Sequence, residues 1–282
     1  MGPWTCARQS GPALIWLAAA SAAPAQVTPA ELGVGVELVL AVDISRSIDP
    51  TEQQIQRQGY AAAFRSAEVQ NAILDGGWGR VAITYVEWAG EAFQNVTIPW
   101  TLIDSTEAAN SFADAIEQGG FISASRTSIS SAISFSAAQF EGNGFAGMRR
   151  IIDVSGDGPN NQGRAVTEAR DAALMRGVII NGLPLMTNGR RDSAFGFGSW
   201  STIANLDAYF ADCVIGGPGA FAIPVTDWDQ FAMAVRQKLV LELAGPPLSP
   251  GPETLIRVQA RPPVDCLIGE KMRAERERTW IE

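Results

Sequence analysis

The chain has 282 residues, 46% of them hydrophobic and 18% charged, which is enough apolar mass for a sizeable core and one large domain. A formal charge of −9 argues against nucleic acid or an anionic membrane surface as partner, because both demand basic surface. With no histidine, the chain cannot build a Ser-His-Asp or Cys-His nucleophile or a histidine metal ligand, and it carries no phosphate-loop, dinucleotide-loop, GxSxG or CxxC pattern.

Residues 1–25 read as an export signal. Met1–Ser10 holds Arg8 and no acid, Ala13–Ala20 is a short apolar core, and Ala23-Pro24-Ala25 has the small residues a signal peptidase needs. The apolar core is too short to span a bilayer, so no membrane span is expected after removal of the signal. An uncleaved anchor is the other reading. A short lead, 26–35, precedes the first strand.

Val36–Val42 is continuously apolar apart from Glu37, which suits a central parallel strand covered on both faces. It ends on Asp43, Ser45 and Ser47, spaced two apart. Asp49 is placed to cap the helix that follows, with Pro50 at its first position and Glu52 closing a capping box. In an open α/β sheet ligands bind at the carboxyl ends of the strands. A carboxylate and two hydroxyls there form a hard-oxygen cluster suited to magnesium, calcium or manganese. Asp and Ser are equally at home in turns and caps, so the spacing alone leaves a structural role open.

Further along, Glu52–Val69 reads as a helix, Arg80–Ala89 as a strand, and Phe93–Ile103 as its antiparallel hairpin partner, an edge because of Pro99. Ser105–Gln118 is helical, and Thr127 sits at the entrance to a helix over Ile129–Phe140. Arg149–Val154 is a buried strand whose end loop carries Asp157. A helix over Gly163–Arg176, a strand over Val178–Leu185 and a polar loop at Thr187–Gly198 follow. Then come a helix at Ser201–Phe210, a short last strand at Phe221–Val225 and a helix at Trp228–Leu243. Domain residues 36–244 therefore alternate strands with helices, giving a doubly wound, mostly parallel six-stranded sheet with one antiparallel edge strand and helices on both faces. Residues 245–282 form a proline-rich linker and a tail, with a possible strand at Thr254–Ala260 and partial disorder elsewhere except at Cys266.

Asp43, Ser45 and Ser47, Thr127 in a second loop and Asp157 in a third resemble, in order and separation, the metal-ion-dependent adhesion site of the von Willebrand factor A family. More narrowly, the chain is similar to a group of exported bacterial proteins with that fold. Two departures stand out: Ser125 and Arg126 occupy the family's usual glycines, and Gly156 stands where threonine is common. The resemblance implies a bound divalent cation, magnesium first and manganese or calcium next, held through Asp43, Ser45, Ser47, Thr127 and Asp157. It also implies one coordination position left for an Asp or Glu carboxylate on a protein or peptide partner. Two other classes compete: a metal-free scaffold of the same fold, and a magnesium-dependent phosphoester hydrolase. The hydrolase has no general acid or base candidate beside the site other than the proposed ligands themselves, so the chain reads as non-enzymatic.

Cys213 and Cys266 are the cysteines left once Cys6 departs with the signal. In an exported chain, periplasmic or secreted, they suggest a disulfide tying the tail to the domain; two unpaired buried thiols is the alternative.

Overall fold

A computed structural model describes residues 1–2, 30–187, 202–244 and 262–279. Nearly all of the signal expected at 1–25, the linker expected at 245–252, the strand expected at 254–260 and most of the loop expected at 187–198 lie outside the described residues. Contacts divide the chain into Met1–Ala30 and Glu31–Glu282, and every element named below lies in the second unit.

The sheet contains β1 Leu32–Asp43, β2 Val81–Trp88, β3 Gln94–Ile103, β4 Phe145–Gly156 and β5 Val178–Pro184. Their order across the sheet is β3-β2-β1-β4-β5, parallel throughout except for the β2–β3 hairpin. β1 reaches back to Leu32, four residues before the apolar run, because Leu32–Val34 pairs with Phe145–Gly147. Glu37, the charge inside the apolar run, is fully buried and hydrogen-bonded locally: Gly147 N and Asn143 Nδ2 donate to its carboxylate, each at 2.6 Å.

The sheet has five strands rather than the six expected. Phe221–Val225 does lie against β5, but through two isolated parallel bridges, Gly182 with Ala222 and Leu185 with Val225. Pro184 falls between them in β5 and has no N–H to continue the ladder, so a sixth strand cannot form as a continuous element.

Helices cover both faces. On one face α1 (Pro50–Arg65), α2 (Ala67–Leu74), α3 (Thr106–Glu117) and α7 (Phe231–Leu243) pack on Val36, Leu38, Leu40 and Val42. On the other, α4 (Ile129–Ala138), α5 (Val166–Leu174) and α6 (Leu206–Tyr209), which continues as a π-turn to Val214, pack on Val39, Ala41, Ile152 and Val154. This period-two split of β1 between two cores is what a doubly covered central strand requires. The expected helix over 52–69 breaks at Ser66, whose backbone is extended and whose hydroxyl caps α2 by accepting from Val69 N. The capping box at α1 is present: Glu52 N donates to Asp49 Oδ1, and Asp49 N to Glu52 Oε2, both at 2.9 Å.

The tail departs from expectation. Ile268–Thr279 forms a helix, α8, and the Cys213–Cys266 disulfide joins its base to the domain, with the two Cα atoms 5.5 Å apart. Val264 N donates to Asp212 Oδ2 at 3.0 Å beside it.

Candidate functional site

The chain reverses direction across the sheet at β1, running first to β2 and later to β4, so the crevice lies where the carboxyl ends of β1 and β4 meet. Asp43 is the last residue of β1 and Asp157 follows the last residue of β4. The parallel register therefore delivers both carboxylates to one end, and both are fully buried.

The loop after Asp43 is folded around that carboxylate. Asp43 Oδ1 accepts from Ser45 N at 2.7 Å, turning the chain so that Ser45 and Ser47 project to one side. Their hydroxyls lie 3.0 Å apart, and Ser47 Oγ donates to Asp157 Oδ1 at 2.8 Å. Four of the five expected residues are thus joined directly. Asp43 Oδ2 is the exception in the cluster: it is buried and no donor completes a hydrogen bond to it. Burial first, and the Asp157 charge second, hold the Asp43 carboxyl well above its ordinary pKa, against the opposing effect of the Ser45 and Asp157 amides.

Thr127 reaches the same place from the α3–α4 loop. It does not cap α4, since Ser128 does so by accepting from Ser131 N. Its backbone is clasped by Asn161 in both directions: Thr127 N donates to Asn161 Oδ1 at 3.1 Å, and Asn161 N to Thr127 O at 2.9 Å. Asn160 Oδ1 accepts from Ser130 N at 3.0 Å. The Asn160-Asn161 pair, which reads in sequence as an ordinary turn, therefore fixes the second loop against the third. A further backbone bond, Arg46 N to Ala124 O at 3.0 Å, ties the first loop to the second.

Of the two departures, Gly156 has a local cause and Arg126 carries a local cost. A side chain at Gly156 would begin 3.3 Å from Asp43 Oδ2 and 3.4 Å from the Trp88 ring, so glycine keeps the carboxylate and the indole beneath it in place. Arg126 has φ +79°, a left-handed conformation that glycine adopts freely. Arginine holds it at a cost of about 1 kcal/mol.

The site opens into a cavity of ≈ 140 Å³ lined by Ser45, Arg46, Ser47, Arg126, Thr127, Asn161, Arg273 and Arg276. The last two come from α8, which rests on the asparagine pair: Asn160 Nδ2 donates to Glu270 Oε1 at 2.7 Å, and Arg273 Nη1 to Asn161 O at 3.2 Å. Gly269 lies directly against Asn160 O, where a Cβ would clash.

Two carboxylates and three hydroxyls are hard donors that match magnesium, calcium or manganese better than softer metals. A buried carboxylate oxygen with no donor, beside a second carboxylate, is the feature a cation would satisfy. Among the described residues no three of His, Cys, Asp and Glu converge, so any cation here would depend on the hydroxyls.

A family model described as "Protein of unknown function (DUF1194)" matches residues 33–247, and the chain belongs to that family. No curated protein matches. Among solved structures, proximal thread matrix protein 1 from the mussel byssus, with a zinc-occupied MIDAS motif, aligns at TM-score 0.55 and 14% identity over 76% of this chain and 49% of that one. A von Willebrand factor type A protein from Catenulispora acidiphila aligns at 0.52 and 12%, over 75% and 43%. The pilus adhesin SpaC from Lactobacillus rhamnosus GG aligns at 0.52 and 11%, over 74% and 31%. The chain spans about half the length of the first of these, and at such identities the likeness is one of fold, that of the von Willebrand factor A domain.

Proposed function

We propose that this member of the family is an exported, non-enzymatic binding module that uses a divalent cation, magnesium first, to engage a carboxylate on a protein or peptide partner. The observation that carries the reading is Asp43 Oδ2, a buried carboxylate oxygen with no donor, set beside the Asp157 carboxylate. Asp43, Ser45, Ser47, Thr127 and Asp157 would hold the ion, directly or through water. Two carboxylates balance a divalent charge, so the bound ion would supply an electrophilic position for an incoming acid. This chain's own residues do the rest. Ser47 bridges the two acidic loops, Asn161 holds Thr127 in register, and Gly156 leaves room for the Asp43 carboxylate.

The matrix protein and the pilus adhesin with this fold support a binding role rather than turnover. The absence of histidine supports it as well, because it leaves the proposed ligands themselves as the acid or base candidates at the site. For export, the support is the Cys213–Cys266 disulfide, a bond that persists in oxidising compartments, together with the apolar amino-terminal run. No helix among the described residues is long and apolar enough to cross a membrane.

Calorimetric titration with Mg²⁺ and Mn²⁺, beside a folded Asp43→Ala variant, tests the reading. One saturable site that the variant loses is expected. Absence of binding in the wild type would leave the metal-free scaffold as the better account, a reading favoured by the mutual bonding of Ser45, Ser47 and Asp157.

A further inference from the structure

The mouth of the cavity is basic in an acidic protein. Four arginines line it, Arg46 and Arg126 from the domain loops and Arg273 and Arg276 from α8, in a chain of net charge −9. Each side of the ring is fixed by its own device. Arg126 is offered from a left-handed backbone position where glycine would be free of strain. Arg273 is anchored to Asn161 O, and α8 as a whole is held by the disulfide and by Glu270 on Asn160. A helix tied down at its base, with two arginines turned to a cavity floored by Ser45, Ser47 and Thr127, is placed as a wall of that cavity.

The ring already receives a carboxylate. Glu277 Oε1 accepts from Arg273 Nε at 2.8 Å and lies 3.7 Å from Arg126 Nη2, so it bridges α8 and the domain at the surface. Arg273, and after it Arg126 and Arg276, hold the Glu277 carboxyl below its ordinary range. At ≈ 140 Å³ the cavity is smaller than the roughly 300–1,000 Å³ of drug-sized ligand sites, which suits side chains of a larger partner rather than a free metabolite. Guanidinium groups bind carboxylates through paired donors, so an arginine ring rewards more than one acid.

We infer that the ligand is an acidic peptide segment with at least two carboxylates, one directed to the floor at Ser45, Ser47 and Thr127 and another taken by Arg126, Arg273 and Arg276 in place of Glu277. The carboxyl-terminal helix is then half of the recognition surface. This rests on the reading of the floor as a cation-dependent carboxylate receptor and adds the chemistry of the partner and the residues that select it.

The test uses fluorescent glycine-serine octapeptides carrying one or three aspartates, with the disulfide-intact protein at saturating Mg²⁺ and low salt. The three-aspartate peptide is expected to bind about ten-fold more tightly, equivalent to roughly 1.4 kcal/mol. Arg273→Gln/Arg276→Gln should erase that preference, and Arg126→Gln, which changes no residue of α8, should reduce it. Equal affinity for the two peptides in the wild type, or a preference that survives in the double variant, overturns the inference. Mg²⁺ titration of the wild type reads the floor separately. If the metal does not bind, the underlying reading fails, and the same peptides in EDTA decide the arginine ring: a preference for three aspartates that the double variant loses upholds it, and no preference overturns it.

Discussion

Ser47 Oγ donates to Asp157 Oδ1 at 2.8 Å and so joins two loops 110 residues apart in sequence. The bond needs the carbonyl-like oxygen of residue 157 but not its charge. Asp157→Asn should therefore fold with a stability change within about 1 kcal/mol, the usual worth of one hydrogen bond, while Mg²⁺ binding falls at least about ten-fold. Urea unfolding and calorimetry on the same sample check both halves. Undiminished Mg²⁺ affinity would remove Asp157 from the donor set.

At Asp43 the proposed cation site and stability pull in opposite directions. Its Oδ1 accepts from Ser45 N, its Oδ2 has no donor, and burial beside Asp157 disfavours its ionised form. Asp43→Asn keeps the first bond and removes the charge. In EDTA the variant should melt higher than the wild type, by an amount on the order of 1 kcal/mol, and should gain nothing from added Mg²⁺. Wild type and variant rising equally with Mg²⁺ would contradict this.

Lys238 is buried between Asp153, at 2.9 Å, and Glu242, to which its ammonium donates. Lys238→Met leaves two buried carboxylates facing one another and should cost about 3–5 kcal/mol. Burial, then the Asp153 charge, push Glu242 from 4.5 up to about 7. Glu242 thus holds its proton more tightly folded than unfolded. Its contribution is fully present below pH 4.5 and is lost as pH rises through about 7. Glu242→Gln should flatten the fall in unfolding free energy between about pH 5 and 8. An unchanged slope would mean the ion-pair cluster does not titrate there.

Cys213 and Cys266 close a loop across a sequence separation of 53. By the chain-entropy estimate such a loop is worth about 4 kcal/mol, so Cys266→Ser should lower the melting temperature clearly. The proposed cation floor draws no residue from α8, so Mg²⁺ affinity should survive the change. Its loss would show that the tail supports the floor itself.

What could be read from the sequence was local. The apolar run to Asp43, the Asp49–Glu52 capping box and the hairpin edge follow from periodicity and cap chemistry, and each is present. The Cys213–Cys266 pairing followed from cysteine count and context. What escaped depends on distant neighbours. Pro184 interrupts a sixth strand only because Phe221–Val225 is laid beside it. Asn160 and Asn161 look like a turn until Thr127, Ser130 and α8 are brought to them. α8 is strongly charged, and little in its composition announces packing; the disulfide, Gly269 and Glu270 hold it in place. Its two arginines at the cavity mouth were invisible for the same reason.

The most direct measurement is electron paramagnetic resonance of Mn²⁺ added to the disulfide-intact protein and to Asp43→Asn. The account predicts that the free-ion signal is suppressed up to one Mn²⁺ per chain in the wild type and restored in the variant. A full free-ion signal in the wild type, at protein concentrations that would saturate a specific site, would contradict it.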